Sequence, residues 1–138
     1  MSDNIDILDQ AVVKTNIWLK VLAERLGTED RHRAYRVLRA VLHALRDRVG
    51  PEVAAHLSAQ LPVLVRGVFY EGWDPTRTPV RMSFGEFLAR VEGEALLKGT
   101  TEAEDGARAV IALLWEELSD GIIEHLIDVL PGDFAAIF

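Results

Sequence analysis

Residues 34–45 read Ala34-Tyr35-Arg36-Val37-Leu38-Arg39-Ala40-Val41-Leu42-His43-Ala44-Leu45. Sixty-nine positions on, residues 103–114 read Ala103-Glu104-Asp105-Gly106-Ala107-Arg108-Ala109-Val110-Ile111-Ala112-Leu113-Leu114. In the first stretch Ala34, Leu38, Val41 and Leu45, followed by Val49, recur every three or four residues, which is the seam of an amphipathic helix. At the same offset Ala34, Arg39, Ala40, Val41 and Leu45 meet identical residues, and so do His56, Leu57, Leu61, Pro62 and Phe69. Roughly ten identities in fewer than forty ungapped pairs mark an internal repeat. Leu19 on Leu88 extends the match backwards.

Working outward, Ile5, Leu8, Val12, Leu19, Leu22 and Leu26 form an earlier seam that stops at Gly27, a residue free to take positive φ. Thr28 is placed to cap the second helix. Gly50-Pro51 ends that helix and opens a third, running to about Gln60, and Pro62 opens a fourth through about Tyr70. Residues 71–82 carry Gly72, Pro75 and Pro79 without a period and read as a linker. Ser83 with Glu86 reads as a capping box, and Thr101 with Glu104 as a second. Ser119 caps a further helix and Pro131 opens the last.

The expectation is an all-α protein of about eight helices, four long and four short. They form two tandem four-helix repeats related by a pseudo-twofold. Residues 1–138 make one domain, with repeat one at about 5–70 and repeat two at about 83–138. A unit of this size buries too little apolar surface to be comfortable alone, so the two share a core.

The chain has 138 residues, 15 Lys and Arg, and 22 Asp and Glu, for a net charge of −7. An acidic chain lacks the positive field of a general nucleic-acid binder. No cysteine is present, which excludes thiol catalysis and Cys-ligated zinc. The acidic N-terminus and the lack of a long apolar run point to a cytoplasmic protein with no membrane role.

Glu29-Asp30-Arg31-His32 contains one Glu-x-x-His, but a di-iron bundle needs a second copy and more carboxylates. No metal site or cofactor is expected. Asp120, Glu124 and Asp128 share one helix face and read as solvated. No catalytic motif appears, so no enzyme is expected. His56 and His125 occupy equivalent positions; each can bond a neighbouring helix end, or the two can pair across the pseudo-twofold as a pH-sensitive contact.

His32, Arg36, Arg39, His43 and Arg46 lie along one side of the second helix at spacings of four, three, four and three. One reading is a solvated face paired with acidic helices of the same molecule. The functional reading is a docking face for an acidic protein partner or an anionic ligand. The second repeat keeps the seam but not the charge, so the fold alone does not demand the stripe. Tyr70, Trp73 and Arg77 sit in a turn-rich segment at and after the end of the fourth helix, where Trp73 either plugs the groove between repeats or anchors a partner. Trp18 and Trp115 are expected in the core or at the repeat interface. The function expected first is a non-catalytic protein-interaction or regulatory module using the stripe. The alternative is a binder of a small anionic molecule in the groove between repeats. A homodimer is a further possibility.

The run from Asp30 to Arg48, with Gln60-Leu61-Pro62 and Tyr70-Glu71-Gly72-Trp73-Asp74-Pro75, resembles the bacterial domain-of-unknown-function family numbered 2267. The likeness covers nearly the whole chain. It implies a bacterial, all-helical, two-repeat domain and carries no activity or catalytic residue with it. The sequence departs from the pattern at Gly85 and Gly93, which weaken the helix after the linker.

Overall fold

A computed structural model describes residues 3–138. Among them are seven α-helices, two 3-10 segments and no strand. The helices are α1 (Asp6–Leu26), α2 (Arg31–Val49), α3 (Pro51–Ala59), α4 (Val63–Tyr70), α5 (Phe84–Ala95), α6 (Thr100–Glu117) and α7 (Asp120–Val129). The 3-10 segments are Pro75–Arg77 in the linker and Gly132–Ile137 at the end. The last short helix expected after Pro131 is therefore a 3-10 turn. No helix of the described residues is long and apolar enough to cross a membrane.

Local chemistry sets most boundaries. Gly27, with φ of 69°, closes α1 by donating its N–H to the carbonyls of Ala23 and Glu24. Pro51 opens α3 at its first position, where a missing N–H costs nothing. Ser83 and Glu86 form a reciprocal capping box, and the Ser119 side chain accepts from Ile122 N.

Two caps differ from expectation. Asp30, not Thr28, caps α2, its carboxylate accepting from the N–H groups of His32 and Arg33. Thr28 instead accepts from Asp30 N at 3.1 Å. The box read at Thr101 and Glu104 does not form: α6 starts two residues earlier, after Gly99, and Glu102 reaches back to Lys98 N at 2.7 Å.

At the offset of 69 residues two pairs of helix starts coincide, while α1 and α5 open 78 residues apart. Arg31 and Thr100 open α2 and α6, and Pro51 and Asp120 open α3 and α7. Central helix α2 packs on α1, α3, α4, α5 and α6, and α1 crosses to α6 while α5 crosses to α2. Each half thus supplies a helix to the other's seam, and one core runs from Trp18 to Ile137. Three pairs of residues 69 apart face each other: Arg33 with Glu102, Val37 with Gly106, and His56 with His125.

The seam of α1 is covered only in part. Leu22 is fully buried and Leu19 and Leu26 pack on the core. Ile5, Leu8 and Val12, expected on the same buried stripe, are 60%, 57% and 50% exposed. The first turns of α1 run beyond the helices that cover its later ones.

Candidate functional site: the groove between α1, α2 and α6

The basic stripe is not a free face. Arg46 and His43 are each 4% exposed. Arg46 donates from Nε and Nη2 to the Asp47 carboxylate at 2.8 and 3.2 Å. Its Nη1 donates to the carbonyls of Phe69 and Glu71 at 2.8 and 2.9 Å, at the end of α4. Arg39 holds the Glu71 carboxylate at 2.6 Å, and Arg36 donates to the Ala95 carbonyl at the end of α5. Only His32, in the first turn of α2, is exposed without such a tether. The stripe therefore fastens α4, the linker and α5 onto α2. Arg46 and His43, two of the five residues expected on a docking face, are thus turned inward.

Asp47 joins this network. Burial pushes its carboxyl up, but hydrogen bonds from Arg46 and Arg90 outweigh that and hold it below the usual range. At His43 burial dominates, and the neighbouring Arg46 and Arg39 charges add to it. Together they hold its pKa below the usual imidazole value despite the Val68 carbonyl 2.6 Å from Nε2. That carbonyl can only accept, so Nε2 carries the proton.

A linkage follows. The unfolded chain binds a proton at this histidine near its ordinary pKa, and the folded chain only at lower pH. Stability from His43 is thus complete above that ordinary value and falls as pH drops through it towards the folded pKa. A single such group changes stability by at most about 1.4 kcal/mol per pH unit. His43→Gln is expected to flatten the fall in unfolding free energy between pH 7.5 and 5.5. An unchanged slope in paired denaturant titrations contradicts this.

The linker residues also find internal partners. The Tyr70 hydroxyl pairs with Ser58 Oγ at 2.6 Å, and its ring lies 4.9 Å from that of Trp73. Trp73 is half-buried and packs against the core, while exposed Arg77 pairs with Asp74. None of the three lines the groove between the halves. Trp18 is buried and Trp115 packs on the core.

That groove lies elsewhere, where the end of α1 and the start of α2 face α6. It encloses about 640 Å³. Leu26, Val37, Leu97, Ala109 and Ala112 give it an apolar lining, and Arg25, Arg33 and Arg108 stand around it with Glu102 and Asp105. Its walls are held by ion pairs: Arg25 to Glu116, and Arg33 to Glu102 at 3.3 Å. Arg108 reaches Glu104 and Asp105 at 3.1 Å each.

Gly106 explains the closeness of the walls. A Cβ there would stand 3.1 Å from Val37 Cγ1, so α2 and α6 approach backbone to side chain. Sequence reasoning put the groove at the repeat junction but missed Arg25, Arg33 and Arg108 as its polar residues. The available signal was the opposite charge of Arg33 and Glu102 at equivalent positions.

Fold and groove together define an all-α domain with its halves interleaved and a polar-rimmed cleft between them. The chain belongs to the family described as uncharacterized conserved protein (DUF2267), whose model matches residues 15–137. No curated protein matches the chain.

Proposed function

We propose that this domain is a non-catalytic binding module that takes a small anionic ligand, a carboxylate or phosphate, in the groove between α1, α2 and α6. One observation carries the reading: three guanidinium groups stand around an apolar-lined cleft of about 640 Å³, a volume within the usual range of ligand sites. Arg33 reaches the Glu102 carboxylate through Nη2, and Arg25 pairs with Glu116. A guanidinium has five N–H donors in a planar fork, so both retain donors for an anion. Their side chains are about one-third exposed, at 33% and 34%.

Isothermal titration with citrate as the probe tests this. Arg25→Gln and Arg33→Gln are each expected to weaken binding about tenfold, the size of a charge-assisted hydrogen bond. Arg39→Gln, on the far tether to Glu71, is expected to leave it unchanged. Equal weakening by all three variants marks general charge screening and overturns the reading.

A second reading, a protein-interaction module, is supported by the uncovered part of α1. Ile5, Ile7, Leu8, Val12, Val13 and Ile17 are between 48% and 70% exposed within a few turns. Large exposed apolar patches mark interaction sites. The occupant assigned here is a second copy of the chain. Ile5, Leu8 and Val12 continue the three-four spacing of Leu19, Leu22 and Leu26, a seam that this chain's own helices already cover further on. A helix covers such a seam, and two copies can cover each other's about a twofold. Light scattering is expected to give a dimer that Leu8→Glu converts to monomer with citrate binding retained. A monomer at all concentrations excludes it.

A further inference from the structure

His56 and His125 meet. Their ring centroids are 6.3 Å apart with the planes tilted by 53°, and both residues are exposed. One stands on α3 and the other on α7, helices that pack on each other. Their relative position is fixed by a clamp beside them. Gln60, at the end of α3, accepts from Ser119 N through Oε1 and donates to Ser119 Oγ through Nε2, both at 2.8 Å. Ser119 is the cap of α7, so the end of one helix is held at the start of the other. The two imidazoles stand four residues before and six residues after this clamp, as close neighbours on antiparallel helices.

We propose that this pair is a binding site for a divalent transition metal of the zinc, nickel and copper class, which cross-links α3 to α7. Imidazole is the commonest protein ligand of these ions and binds at about 2.0–2.1 Å. Each ring centroid then lies about 3.2 Å from the ion, so two rings can share one ion up to a centroid separation of about 6.4 Å. The observed separation falls inside that limit. A tetrahedral angle asks for about 5.2 Å, an approach that exposed side chains make by changing rotamer.

Among the described residues no third histidine, cysteine or carboxylate converges on the pair. The protein thus supplies two ligands and water the others, which sets a loose site with open positions. Glu52 and Asp128, one turn further from the clamp on each helix and both exposed, add negative potential beside it. Because the two helices belong to different halves, a bound ion ties the halves together on the face where equivalent histidines meet.

The test is titration of the full chain with Zn²⁺, and separately Ni²⁺, in a non-chelating buffer, read by calorimetry and thermal unfolding. One ion per chain and a rise of a few degrees in the unfolding midpoint are expected, since an ion that binds only the folded state stabilises it. Protons compete for the imidazoles, so binding weakens at pH 5.5. His56→Gln and His125→Gln are each expected to weaken binding about tenfold or more and to abolish the midpoint shift. His32→Gln, at the isolated exposed histidine, is expected to change nothing. Binding that survives in both single variants, or that is lost with His32→Gln, is adventitious and overturns the proposal, as does the absence of saturable binding. Helical circular dichroism at exposed positions such as these checks that each variant folds.

Discussion

Arg46→Ala is expected to destabilise the fold by about 3–5 kcal/mol, the cost of breaking a buried ion pair on one side. The guanidinium is nearly inaccessible and makes four hydrogen bonds, two to Asp47 and two to the carbonyls of Phe69 and Glu71. Truncation leaves Asp47 with Arg90 alone at 2.6 Å, and leaves the carbonyls at the end of α4 without that donor. Those carbonyls belong to the last turn of a helix, where no further backbone N–H serves them. Arg46→Lys keeps the charge but not the fork and is expected to lose roughly half as much. Urea unfolding measures both, as a lower midpoint at unchanged slope. A loss below about 1 kcal/mol contradicts the tether, because that is the range of an exposed ion pair.

Phe134→Ala is expected to cost about 3–5 kcal/mol as well. Phe134 is 1% exposed, although it lies in a short 3-10 segment near the end of the chain. Its ring meets Phe84 and Phe87 edge-on with centroids 5.2 Å away, and the Arg48 guanidinium stands 5.9 Å from its centre. The cluster buries a full aromatic side chain and adds the preference of aromatic pairs for T-shaped contact. The same residue holds Gly132–Ile137 on the core, so the amides of that segment are expected to exchange faster in the variant than those of α2. Exchange that accelerates uniformly, with a midpoint near that of the parent, contradicts this.

The parts of the fold legible in the sequence are those decided within a few residues. Gly27 ends α1 because its backbone adopts the left-handed region without strain. Ser83 and Glu86 satisfy each other three residues apart. Pro51 opens α3 because the first helical residue needs no donor. Thr28 lost the cap of α2 to Asp30 because several polar residues stand together there, and only the start of the helix decides which carboxylate or hydroxyl faces its free N–H groups. At the end of α5 the left-handed residue is Leu96, with φ of 58°. A sequence reading looks for glycine there.

The remainder needed tertiary contact. Periodicity identified the apolar side of α1 but not how far its covering helices extend, so Ile5, Leu8 and Val12 came out exposed. The same limit acted on α2. Spacing put His32, Arg36, Arg39, His43 and Arg46 on one side, and only the packing of α4, the linker and α5 shows that side to be occupied. The groove was harder still, since Arg25, Arg33 and Arg108 come from three helices and share no motif. By contrast, the repeat offset marked His56 and His125 as equivalent positions, and of the two readings open for them the structure sets their rings 6.3 Å apart.

The central claim is that the arginines divide into tethers along α2 and ligand donors around the groove. The most direct measurement is a proton–nitrogen correlation titration of the labelled chain with citrate, recording arginine Nε–H signals with the backbone amides. Saturable shifts are expected at Arg25, Arg33 and Arg108 and in the amides around Leu97 and Ala109, with Arg39 and Arg46 unmoved. Shifts centred on Arg36 and Arg39, or no saturable shift up to about 10 mM citrate, would contradict it.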